Sequence, residues 1–166
     1  MLQKASKVFL LFAALLLCGC GDVLFHEFGN VDGHCWNRRD VFYFSYGRPL
    51  AADECAGYLL SVEARTDASY EYKNLVVFVE IFDGKEGTLL TADTLCCSIY
   101  DDDGRREGST AGALYQVGSD EVFIGNFGCD TVLMRLSHLM ESEELCGVSD
   151  VGIRLCSSSA RGQHQF

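Results

Sequence analysis

The chain has 166 residues, 48% hydrophobic and 11% aromatic, which suits one folded domain and argues against a disordered polypeptide. Its formal charge is −11, becoming −13 if Lys4 and Lys7 leave with a leader. Such acidity speaks against nucleic acid and anionic lipid headgroups as direct partners.

Lys4 and Lys7 form a positive n-region, and residues 8–17 (V-F-L-L-F-A-A-L-L-L) form an unbroken apolar stretch. That stretch has the length of a signal-peptide core and is too short to span a bilayer. Leu17-Cys18-Gly19-Cys20 follows and resembles the lipobox of bacterial lipoproteins. That chemistry needs a thiol at the cut, a small residue just before it and an aliphatic residue three positions before it. Cys20 meets all three requirements; Cys18 has the bulky Leu17 in front of it. The expected layout is a signal peptide over residues 1–19, a lipid-bearing N-terminus over 20–22 and a membrane anchor on Cys20. The competing reading is a plain secreted protein with Cys20 buried or disulfide-bonded. Acyl chains contribute about 0.8 kcal/mol per buried methylene, so two or three of them hold stably.

After the anchor the chain reads as strands. Residues 41–46 are aromatic and β-rich. Tyr58–Thr66 alternates, with Tyr58, Leu60, Val62 and Ala64 on one face and Ser61, Glu63 and Arg65 on the other. Residues 75–82 (L-V-V-F-V-E-I-F) read as a strand buried on both sides and end at the turn signal Asp83-Gly84. Residues 88–100, 122–127, 131–136 and 151–155 complete the set. The turn spacing predicts an all-β domain over residues 23–156, an antiparallel sandwich of jelly-roll or immunoglobulin-like kind. Its expected core includes Leu60, Val62, Val77, Val79, Ile81, Ile124, Val151 and Ile153. One short helix is expected over 138–145, capped by Ser137, with Glu141, Glu143 and Glu144 toward solvent. The polar tail, 157–166, is expected to be disordered.

Nine cysteines form no C-x-x-C pair and no metal-ligand spacing with the scattered histidines. With Cys18 cleaved and Cys20 acylated, Cys35, Cys55, Cys96, Cys97, Cys129, Cys146 and Cys156 remain, an odd number in a compartment that permits disulfides. Cys96 and Cys97 sit in strand sequence, with their thiols expected on opposite faces.

Several short segments carry a resemblance when taken in order. They are Trp36-Asn37 leading to Asp40-Val41, Tyr70-x-Tyr72-x-Asn74-Leu75 leading into V-F-V-E, Asp93-Thr94-Leu95, Asp103-Gly104, and the closing run from Ser149-Asp150 to Arg154-Leu155. Together they resemble the gliding motility lipoprotein GldH family of Bacteroidota over nearly the whole chain. The resemblance implies a lipid-anchored envelope protein with a β-sandwich domain, needed for gliding in motile members. It implies a functional surface at Trp36, Asp40, Asn74, Asp150 and Arg154. The competing structural reading of these residues is an indole packing a strand end, an Asx turn and a local Asp–Arg pair. The chain departs from the family in its high cysteine content and in R-R-E-G-S-T-A-G after Asp103-Gly104.

The residues present no catalytic set. Asp101-Asp102-Asp103-Gly104 lacks the alternating ligands of a calcium loop, because Arg105 breaks the register; it reads as a solvated hairpin turn. Ser149-Asp150 and His138 lack a G-x-S-x-G elbow or a base partner by spacing. No enzyme activity, metal or cofactor is expected. The expected function is docking of envelope proteins at the membrane, in gliding or secretion machinery, with the lipid inserted in the outer membrane. The alternative is a glycan-binding lipoprotein using Trp36, Tyr70 and Tyr72 as stacking rings.

Overall fold

The computed structural model describes residues 23–48 and 57–158, so the expected anchor at Cys20, the tail from 159 and Cys55 lie outside the described residues. Twelve strands follow in chain order: β1 (Val23–Asn30), β2 (Cys35–Asn37), β3 (Phe42–Gly47), β4 (Tyr58–Thr66), β5 (Asn74–Asp83), β6 (Leu89–Ser98), β7 (Ser109–Ala111), β8 (Leu114–Gly118), β9 (Val122–Gly125), β10 (Thr131–His138), β11 (Glu144–Cys146) and β12 (Val148–Ser157). A 3-10 turn at Asp32–His34 separates β1 from β2.

The strands pair antiparallel into two layers. One sheet runs β1-β12-β4-β8-β7, with β9 also paired to β4; the other runs β3-β10-β5-β6; β2 and β11 form a separate ribbon. The pairing follows from alternation. Even-numbered residues of β4 and odd-numbered residues of β12 point inward, placing Leu60, Val62 and Ala64 beside Val151, Ile153 and Leu155. From the second sheet Leu75, Val77, Val79 and Ile81 of β5 and Val132, Met134 and Leu136 of β10 face them, all at most 2% exposed. Each such side chain contributes roughly 1.5–3 kcal/mol on burial. The expected core is thus present, with Ile124 at its margin, partly buried. This is the all-β antiparallel sandwich expected from the sequence.

Two local expectations change. Residues 75–82 are fully buried on one face only: Val76, Phe78, Glu80 and Phe82 alternate with the core residues and are partly buried. On the outer side of this sheet Arg135 pairs with Glu80 at 2.5 Å.

The helix expected over 138–145 is replaced by the end of β10, an irregular bend and β11. His138 is paired with Val77 and is 2% exposed, and the Leu139 amide donates to the Val76 carbonyl at 2.9 Å. The Arg38 guanidinium takes the carbonyls of Met140 and Glu141, which a helix would need for its own ladder. Leu145 pairs with Trp36, and Cys146 lies opposite Cys35 and is disulfide-bonded to it. Tertiary partners have overridden a run of glutamates with good helix propensity.

Cys96 is exposed and Cys97 buried, as their alternation requires; with Cys129 and Cys156 they are free thiols. Burial pushes the Cys97 thiol up to about 12.

Candidate functional site

The two ends of the sandwich differ in construction. One end carries the start of β1, the end of β3 and the start of β4, where Tyr58 packs against both Tyr46 and Phe127. The opposite end carries the β2–β11 ribbon, and most of the sequence-marked residues gather there.

Trp36 is the centre of that cluster. It is fully buried, meets Phe42 edge-on at 5.5 Å and His138 at 5.1 Å, and donates its indole N–H to the Asp40 carbonyl at 2.9 Å. The Asn37 side chain accepts from the Arg39 amide, and the Asp40 amide returns to the Asn37 carbonyl, so the turn after β2 is locked by Asx geometry. Beside it an open depression of about 450 Å³ is lined by Asn30, Asp32, Arg39, Asp40, Phe42 and Tyr43. Burial lowers the pKa of His138, and the neighbouring Arg38 charge lowers it further.

Asn74 opens β5 at the same end. Its backbone carbonyl accepts the buried Tyr70 hydroxyl at 2.9 Å, and the Tyr70 carbonyl in turn accepts Tyr100 at 3.0 Å. Gly147, with φ of +87°, lets Tyr70 pack where a Cβ would come within 2.3 Å of the Tyr70 nitrogen. His34 contacts Asp67 at 3.2 Å, and the hydroxyl and amide of Ser69 hold the Asp67 carboxyl below its usual range. The Asp101–Gly104 turn is close by: Asp101 accepts from the amides of Asp103 and Arg105, Asp102 pairs with Lys73, and Asp103 with Arg105. Among the described residues no group of His, Cys, Asp or Glu is disposed to hold a metal ion.

Asp150 and Arg154 lie on the outer face of the larger sheet, Asp150 opposite Asn30 at this same end and Arg154 further along β12. Asp150 sits within β12, not ahead of it, and accepts the Ser149 hydroxyl at 2.7 Å. It forms no ion pair with Arg154, whose Nε is buried without a hydrogen-bond partner. Their strand positions explain the separation. Asp150 pairs with Asn30 and Arg65, whereas Arg154 pairs with His26 and Ser61, four residues further along β12.

Between them runs a polar network that the sequence reading missed. Glu63 accepts from Gln116 at 2.5 Å and meets His26 at 3.3 Å; Arg65 donates to Gln116 at 3.1 Å and stacks 3.9 Å over the Phe28 ring. Gly152 makes this stack possible, since a Cβ there would lie 2.8 Å from the Phe28 ring and 2.6 Å from the Glu27 carbonyl. The available signal was the alternation of His26 and Phe28 in β1, on the same phase as Glu63 and Arg65 in β4. The arrangement offers binding chemistry: charged and aromatic groups on a flat strand face, with no nucleophile paired to a base.

A family model described as GldH lipoprotein matches residues 23–155. No curated protein matches the chain. Among solved structures, the infectious bursal disease virus Gx strain is similar at 12% identity, covering 89% of this chain and 36% of that one with a TM-score of 0.30. T=1 particles derived from that virus give 8% identity, 86% and 34% coverage and a TM-score of 0.32. The chain spans about a third of the length of these capsid-particle chains, and likeness at this level carries no functional weight.

Proposed function

Because the chain belongs to the GldH lipoprotein family, we propose that it is a non-enzymatic, lipid-anchored envelope component that holds partner proteins at the membrane for gliding-linked or secretion-linked machinery. The observation that carries this reading is the family match across residues 23–155, directly preceded by the lipobox-like Leu17-x-Gly19-Cys20. The acyl chains on Cys20 insert in the outer membrane, and the acidic domain reaches its partners from there.

The end of the sandwich around Trp36, Asp40 and Asn74 supports docking better than turnover. Its side chains fix turns and present a shallow, charged depression. The glycan reading loses two of its three rings, since Trp36 and Tyr70 are fully committed to the core and only Tyr72 stays exposed.

Fatty-acid labelling should mark the protein, and Cys20→Ala should abolish the label and impair docking even though the domain folds. Anchoring raises the local concentration on which weak docking depends. Crosslinking and affinity capture from native envelopes should return other envelope proteins. Full activity from an unanchored domain, or measured turnover of any substrate, would refute the proposal.

A further inference from the structure

The start of β1 fixes where an anchored domain can stand. Val23 is three residues after Cys20, and three residues reach about 11 Å at most. An acylated Cys20 therefore keeps the β1-start end of the sandwich within a headgroup's thickness of the bilayer.

That end also carries exposed apolar side chains. A single row of register partners crosses the larger sheet there: Val23 pairs with Cys156, Cys156 with Leu59, and Leu59 with Phe123. Phe123 is 63% exposed, Val23 38% and Leu24 37%. Phe123 lies over Gly57, at which a Cβ would come within 2.5 Å of its ring. The second sheet contributes at the same end. Leu89 pairs with Phe82, one residue before the Asp83–Val132–Tyr46 row that leads through the Tyr46–Tyr58 contact to the start of β4. Leu89 is 52% and Leu90 37% exposed. Among the described residues, charged groups at this end include Arg48 with Asp130, and Asp83, Lys85 and Glu86, in the turns of the second sheet.

We propose that this end is the membrane-facing surface of the protein, with Val23, Leu24 and Phe123 entering the headgroup region of the bilayer beside the acyl chains. The inference rests on the reading of Cys20 as the acylated residue. The occupant is lipid, because the anchor delivers this surface to a bilayer before any other partner can reach it. The contact is apolar, since a net charge of −11 gives the chain no overall attraction to anionic lipids. The Trp36 end then points away from the membrane.

The test uses the full acylated protein, reconstituted into phosphatidylcholine vesicles with or without brominated acyl chains. Phe123→Trp places a reporter at the proposed surface, and Tyr43→Trp places one at an exposed site next to the opposite end. The wild-type chain supplies the background of its one tryptophan, Trp36. All forms should float with the vesicles. Brominated lipid should remove most of the added emission of Phe123→Trp and leave that of Tyr43→Trp unchanged. Leu24→Trp, with the same expectation, serves if Phe123→Trp does not fold. Flotation without quenching at either reporter overturns the membrane face while the anchor reading stands. Failure to float overturns both. Concentration-dependent shielding of the reporter in lipid-free detergent, without quenching in vesicles, assigns the surface to a second copy and overturns the proposal.

Discussion

Trp36 shows how much one residue of the resemblance does for the fold. Its removal would empty the space between Phe42 and His138 and free the Asp40 carbonyl. Trp36→Ala is expected to cost about 3–5 kcal/mol and Trp36→Phe about 1 kcal/mol, read as a shift in urea midpoint of the soluble domain. His138 beneath it gives a pH signature. Burial and the Arg38 charge lower its folded-state pKa below the ordinary 6.5, so the folded protein binds the proton less readily than the unfolded chain. Its contribution is therefore complete above pH 6.5 and declines as pH falls below that value toward the lowered pKa. The decline is at most about 1.4 kcal/mol per pH unit. Stability profiles of the wild type and His138→Phe should diverge below pH 6.5, the variant being the flatter. Parallel profiles would show that His138 does not titrate in this way. At this scale the sequence grouped Trp36 and Asp40 in one segment, and its expected Asp–Arg pair at 150 and 154 does not form. Residues four apart on a strand share a face without touching, unlike residues four apart on a helix.

The ribbon of β2 and β11 is the element that sequence periodicity could least reveal. Each strand has three residues, too short for alternation to register, and the pairing joins segments far apart in the chain. The same limit hid β7 and turned the glutamate-rich stretch 138–145 into an expected helix. The longer strands β4, β5 and β10 carried enough alternation to be read directly, though the outer residues of β5 looked buried because they are apolar. Cys35–Cys146 closes a separation of 111 residues around this ribbon. Cys35→Ser with Cys146→Ser is expected to lower stability by about 2–5 kcal/mol in chemical denaturation, with the two large sheets retained by circular dichroism. An unchanged midpoint would mean that strand pairing alone holds the ribbon.

At the scale of the molecule, the sandwich depends on two apolar inner faces meeting, with no α-helix among the described residues to support them. Val79, 1% exposed at the middle of β5, tests that dependence. Val79→Asp puts an unpaired carboxylate among packed methyl groups and is expected to cost more than about 4 kcal/mol, leaving little folded domain in a thermal melt. The topology has a further consequence, in time and not in space. β1, the first described strand, hydrogen-bonds to β12, the last, and β12 in turn bridges β1 to β4. A chain that is exported N-terminus first would deliver β1 to the envelope long before its partner. β4 and β5 would likewise wait beside an incomplete sheet. The lipid would then be attached to a polypeptide whose fold cannot yet close. The interval between such acylation and the arrival of β12 would be when the unpaired strands are most open to misassociation.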